Sequence, residues 1–184
     1  MNNKLVKGIT FGGITNQIVQ LNPYIQPIQL YEEGMIENIE VRRNTLANPS
    51  TLQALDKVKQ LITLPYGYCT TRIVADYFEV SFETIKKNVQ RNREELELNG
   101  LIVLSGDTLK QWKEYISCIM SLTSEINYSS SLALYNRKTI LNIAMLLRDS
   151  IIAKEIRYVI LKVLNTEVGQ TLMLYETQNA IYNR

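Results

Sequence analysis

Apolar residues recur at three- and four-residue steps over most of the chain beyond residue 49, and in shorter β-branched or aromatic runs before it. The first pattern predicts amphipathic helices and the second predicts strands. Between residues 1 and 48, Gly8, Gly12, Gly13, Pro23, Pro27 and Gly34 punctuate the strand-like runs. In IQLYEEGMIENIEVRR two apolar runs flank Glu32-Glu33-Gly34, the pattern of a hairpin whose glycine takes a positive φ. A small antiparallel sheet, serving as a cap or a dimer-forming hairpin, is expected in this region. It carries neither a Walker lysine nor G-x-G-x-x-G spacing, so no phosphate loop is expected.

After Asn48-Pro49, Leu52, Leu55, Val58 and Ile62 mark a helix with Ser50 or Thr51 as N-cap, stopped by Pro65 and Gly67. Two more helices follow, separated by a tight turn. The first runs from about Thr71 to Phe78 and buries Ile73, Val74, Ala75 and Phe78. Glu79-Val80 forms the turn, and Ser81 caps the second helix, whose Phe82, Ile85, Val89 and Leu96 gather into one stripe. This is the layout of a helix-turn-helix. Glu79 stands where glycine is usual in that motif, and Asn88 where an apolar residue is commoner.

The outer face of the second helix carries the candidate chemistry. From Ser81 to Arg93 there are Lys86, Lys87, Arg91 and Arg93 against Glu83 alone, a net +3 on one helix. Lysine and arginine neutralise phosphates, while Arg, Asn and Gln also form bidentate bonds to base edges in the major groove. Ser81, Thr84, Lys86, Lys87, Asn88, Gln90, Arg91 and Arg93, with Thr71 and Arg72 from the preceding helix, are the candidate DNA contacts. The plainer reading is a solvated face stabilised by Arg91–Glu95 and Arg93–Glu97 pairs, each contributing roughly a few tenths of a kcal/mol. Glu94, Glu95 and Glu97 repel phosphate, which assigns binding to the N-terminal half of the helix. Asn99-Gly100 forms a C-cap, and Leu101 to Leu104 a short strand that either begins a wing or joins the N-terminal sheet.

From Asp107 onwards the pattern is helical almost throughout. Asp107 or Thr108 caps a helix containing Leu109, Trp112, Tyr115, Ile116, Ile119 and Met120. A loop follows at Ser129 to Ser131. Asn136 caps a helix with Ile140, Ile143, Ala144 and Leu147 on one face, and Asp149-Ser150 starts another with Ile152, Ile156, Val159, Ile160 and Val163. Residues 168 to 182 form a weaker segment with Leu172 and Tyr175 as anchors. The expected fold is α+β and mostly α: an N-terminal β region (1–48), a central helix-turn-helix region (49–106), with the strand after Gly100 open between a wing and the N-terminal sheet, and a C-terminal helical bundle (107–184) for oligomerisation or partner binding.

Composition narrows the function. Twenty Lys and Arg against eighteen Asp and Glu leave a net charge of only +2, so electrostatic recognition has to be local. The chain has no histidine, which removes Ser-His-Asp and Cys-His nucleophile pairs. Cys69 and Cys118 are isolated, match no zinc or Cys-x-x-Cys spacing, and are both expected as small buried hydrophobes. MNNKLVKGITFGGITNQ lacks a secretory apolar core and no later window is long and apolar enough to span a membrane, so a cytoplasmic protein is expected. No cofactor or metal is expected. Eleven tyrosines, several near the C-terminus, suit an interface or the edge of a core.

Residues 132 to 161, LALYNRKTILNIAMLLRDSIIAKEIRYVIL, resemble the C-terminal half of phage antirepressor-type regulators of the BRO and Rha kind. The matching elements are Arg148-Asp149-Ser150, Ala153-Lys154 and Arg157-Tyr158; Asp149 is an insertion relative to the pattern, and its tryptophan is missing. On the plainer reading Arg148, Asp149, Lys154, Glu155 and Arg157 are helix capping and a solvated face. Residues 69 to 100 are similar to the helix-turn-helix portion of prophage regulators in Gram-positive bacteria and their plasmids. These resemblances imply a mobile-element regulator that binds duplex DNA and self-associates as a homodimer or larger homo-oligomer.

The alternative is a phage or plasmid antirepressor that captures a protein partner through its C-terminal helices without touching DNA. An enzyme would need clustered carboxylates for a metal. The dense acidic runs, Glu32-Glu33 and Glu94-Glu95-Glu97, fall in the expected hairpin turn and along a helix exterior.

Overall fold

A computed structural model describes residues 27–164 as a mostly helical assembly around a small antiparallel sheet. The expectations for residues 1–26 and for 168–182 lie outside the described residues. In order come α1 (Pro27–Glu37), α2 (Ile39–Ala47), a 3-10 turn (Pro49–Gln53) leading into α3 (Ala54–Val58), then β1 (Cys69–Thr70), α4 (Thr71–Phe78), α5 (Phe82–Arg91) and α6 (Arg93–Leu98). β2 (Ile102–Ser105), α7 (Gly106–Ser117), α8 (Ser124–Tyr128), β3 (Ser131–Tyr135), α9 (Arg137–Leu146) and a final helix, α10, over 151–164 complete them.

The expected hairpin at 28–43 is instead the helix pair α1 and α2. Gly34 lies inside α1 without a positive φ. A Cβ there would touch Val41 Cγ2 at 3.4 Å, so the glycine lets α2 approach closely. Asn38 begins the second helix by accepting a hydrogen bond from the Glu40 amide at 2.8 Å. The buried positions of α2 are Arg42, Thr45 and Leu46, which share one helical face but not one polarity. The apolar runs about Glu32-Glu33-Gly34 thus belong to helices, and the inner face of the second is partly charged.

Burial of Arg42 is made possible by Glu95, 53 positions away. Nε and Nη2 of Arg42 donate to the two Glu95 oxygens at 2.6 Å each, and Nη1 donates to the carbonyls of Met35 and Ile36 at 3.2 and 2.9 Å near the end of α1. Glu95 accordingly turns inward. The expectation of an acidic run along an exterior face fails at this position, as does the Arg91–Glu95 pair.

The helix after Asn48 is shorter than expected. Asn48, not Ser50 or Thr51, caps the 3-10 turn by accepting from the Ser50 amide at 3.0 Å. The α-helix ends at Val58, leaving Ile62 exposed. α7 likewise starts at Gly106, ahead of the expected caps Asp107 and Thr108, and stops at Ser117, short of the exposed Ile119; Tyr115, within it, is exposed as well.

The sheet has order β1-β3-β2, both pairings antiparallel, with Thr70 and Ile102 each opposite Leu134. Its middle strand begins in the serine cluster expected as a loop, because Leu132, Leu134 and Tyr135 bury on a pleated surface. β2 pairs with this strand and so takes neither a place in an N-terminal sheet nor a simple wing turn. On one face Leu104, Leu132 and Leu134 pack with Leu109 and Ile126 of α7 and α8. On the other, Cys69 and Tyr135 join the main core of α2, α4, α5, α6, α9 and α10.

α9 is buried nearly all round, Thr139 to Met145 without exception, which includes Asn142, whose amide has no hydrogen-bond partner among the described residues. Asn136 caps it as expected, accepting from the Thr139 amide at 2.8 Å. Gly100 has φ +100°, and a Cβ on it would fall 1.9 Å from Asn136 Nδ2. Gly100→Ala is thus expected to strain the backbone and expel that cap, costing about 2 kcal/mol in a urea unfolding midpoint. Cys69 is fully buried and its thiol is pushed up to about 11 by that burial. Cys118 is exposed, contrary to expectation, because α7 ends just before it.

Candidate nucleic-acid interface

α4 forms where its pattern places it, Thr71–Phe78, and α5 starts as expected after Ser81, which accepts from the Thr84 amide at 3.1 Å as N-cap, but it ends at Arg91 instead of running on through Leu96. The turn works without glycine because Glu79 itself takes the left-handed conformation, φ 56°. Lys59 holds the same corner: its Nζ donates to the carbonyls of Asp76 and Tyr77 at 3.3 and 3.2 Å and to Glu79 Oε1 at 2.9 Å. Behind α5, Ile85 is completely buried, while Val80 and Val89 pack on the core edge. The helix is therefore fixed from one side only.

Its other side faces solvent. Ser81, Thr84, Lys86, Lys87, Gln90 and Arg91 are exposed on α5 or its cap. Lys86 pairs with Glu83 at 3.3 Å, whereas Lys87 and Arg91 make no ion pair among the described residues. Asn88 is half-buried and its Oδ1 is shielded from solvent without a donor. The chain breaks helical geometry at Asn92, with φ −123° and ψ 27°. Arg93 and Leu96 consequently belong to α6, and Arg93 is exposed but bound to Glu97 at 2.7 Å.

The two candidates on α4 fare differently. Thr71 is buried, its hydroxyl 3.1 Å from that of Tyr135, because its side chain faces the sheet. It is removed from the set of possible surface contacts. Arg72 is exposed; its guanidinium lies 4.8 Å from the centre of the Phe82 ring and 3.7 Å from Glu125. The cation at the start of α4 is partly committed to α5 and α8.

Sequence reasoning missed a second wall. Leu146 to Ser150, between α9 and α10, faces the flank of α5 formed by Thr84, Lys87, Asn88 and Arg91 across an open cleft of about 260 Å³. The segment is anchored at several points. Ser150 Oγ donates to the Phe78 carbonyl at 2.8 Å and accepts from the Ala153 amide at 3.1 Å, capping α10. Arg157 Nη1 donates to the carbonyls of Ala144 and Leu147 at 2.7 Å each, and its Nε donates to Glu32 at 3.2 Å. Arg157 is buried, not part of a solvated face, and desolvation lowers its pKa while Glu32 opposes that shift. Arg148 pairs with Glu37 at the surface.

Among the described residues, no group of three or more His, Cys, Asp or Glu side chains is placed to hold a metal ion, and no helix is long and apolar enough to cross a membrane. Comparison of the chain with family models, curated proteins and solved structures finds no match.

Proposed function

We propose that α4, its turn and α5 form a helix-turn-helix, that β1, β3 and β2 make it a winged variant, and that the protein is a regulator of a mobile element that binds duplex DNA. α5 is the recognition helix. In this reading α7 and α8 occupy the β2–β3 connection, where a simple wing would be a short turn.

The observation that carries the proposal is the pair Lys87 and Arg91, one turn apart and exposed without an ion-pair partner among the described residues, on a helix fixed from behind by Ile85. Unpaired cations on a rigid rod meet phosphates without first breaking internal salt bridges, and their binding releases counterions from DNA. Gln90, on the same outer side, supplies an amide for a base edge. Inward rotation of Glu95 and its neutralisation by Arg42 remove one of the carboxylates that would oppose a phosphate.

The test is fluorescence anisotropy on duplex fragments, beginning with the region upstream of the protein's own coding sequence. Lys87→Ala and Arg91→Ala are each expected to lower affinity by about tenfold at 0.1 M salt and to reduce the slope of log affinity against log salt by about 0.9. Their unfolding midpoints should stay within about 0.5 kcal/mol of the parent, as for other exposed positions. Binding that ignores salt, or that neither substitution weakens, overturns the reading.

A further inference from the structure

The cleft between α5 and the segment joining α9 to α10 has a use that α5 alone does not explain. We propose that it seats the sugar-phosphate backbone of one DNA strand, with Arg148 as a second-wall phosphate contact and Asp149 as a carboxylate that limits the affinity. This rests on α5 being the recognition helix.

An α-helix with its side chains nearly fills a major groove, so the two backbones run along its flanks. On one flank of α5, Lys87 and Arg91 present unpaired cations toward a space of about 260 Å³ whose opposite wall carries Arg148 and Asp149. The charges lining the cleft sum in favour of an anion, three cations to one carboxylate.

The opposite wall is also held in place before any ligand arrives. Ser150 ties it to the Phe78 carbonyl at the end of α4, and Arg157 ties Leu147 to the last turn of α9. A wall fixed to the same helix pair as the cations keeps a constant distance from them, which a backbone contact in register requires. Arg148 is exposed, and its surface pair with Glu37 is of the kind that contributes little to stability, leaving its guanidinium available for exchange onto a phosphate. Asp149 is exposed and makes no ion pair among the described residues, so its charge is uncompensated where a phosphate would pass.

The experiment measures binding of one duplex by the full chain across a salt series for Arg148→Ala, Asp149→Asn and Lys87→Ala. Arg148→Ala is expected to weaken binding about fivefold and to lower the salt slope by about 0.9, while Asp149→Asn tightens binding about threefold. Both substitutions are at exposed sites, and a circular-dichroism melt verifies that each variant is folded.

If Lys87→Ala weakens binding but Arg148→Ala and Asp149→Asn leave affinity and slope unchanged, the cleft proposal is overturned and the recognition helix stands. If none of the three changes binding and Arg91→Ala leaves it unchanged as well, both are overturned. Inorganic phosphate, added at matched ionic strength against chloride, separates the two sources of the anion. No excess competition over chloride supports a backbone seat. Excess competition that Arg148→Ala removes makes the cleft a free-anion pocket and overturns it.

Discussion

Arg42→Ala is expected to lower the stability of the protein by about 3–5 kcal/mol, because it leaves the Glu95 carboxylate in the interior without its partner. Both side chains are nearly inaccessible, 6% and 10% exposed, and both Glu95 oxygens take their bonds from this one guanidinium. The same arginine also serves the Met35 and Ile36 carbonyls near the end of α1, so its loss loosens α1 as well as α6. Thermal unfolding of a chain this size should shift by about 10 °C, with the urea m-value unchanged. The double variant Arg42→Met, Glu95→Leu separates the causes. Replacing both charges with apolar groups removes the stranded carboxylate and should restore much of the loss, but not the part due to the α1 carbonyls. A double variant no better than Arg42→Ala would show that the buried charge is not the source of the effect.

Arg157→Ala is expected to be of similar severity, about 3–5 kcal/mol, for a different reason. Its side chain is 1% exposed and occupies the space under the end of α9 while bonding the Ala144 and Leu147 carbonyls. Alanine leaves two acceptors without donors and a hole where a long side chain stood. Arg157→Lys keeps the charge but loses the planar fork that reaches two carbonyls and Glu32 together, so it should recover less than half of the difference in a urea titration. Full recovery by lysine would mean that charge alone holds this corner. Because Leu147 belongs to the cleft wall, the alanine variant should also weaken DNA binding at temperatures where it remains folded.

These two arginines show where the sequence stops being informative. Although the break at Asn92 that puts Leu96 in α6 is not legible in the sequence, the span of α4 and the start of α5 at its cap Ser81 are, because the apolar positions and that cap are local and agree with one another. The same is true of Asn136 at the start of α9. The α1–α2 region carries the pattern of a hairpin because two apolar runs flank Glu32-Glu33-Gly34, and the helical face that decides the matter contains Arg42, which becomes an inward residue only through Glu95. β3 was hidden because its partners in the sheet lie about thirty and more than sixty positions back in the chain. Of the candidate contacts, Lys87, Gln90 and Arg91 could be placed from helical phase alone. The inward turn of Thr71 required the position of Tyr135, and the second wall required knowing that α10 folds back onto α4.

The order in which the sheet is assembled has a consequence for synthesis. Its middle strand is the last of the three to be made, so a nascent chain that has emerged only as far as residue 130 carries the cationic helix but has two outer strands with nothing between them. A gene fragment trimmed near residue 106 stays in that condition permanently, with exposed strand edges that invite aggregation. The shortest polypeptide able to present α5 must therefore extend past Tyr135, and a frameshift or protease cut within α7 or α8 would remove the support of a surface encoded well upstream.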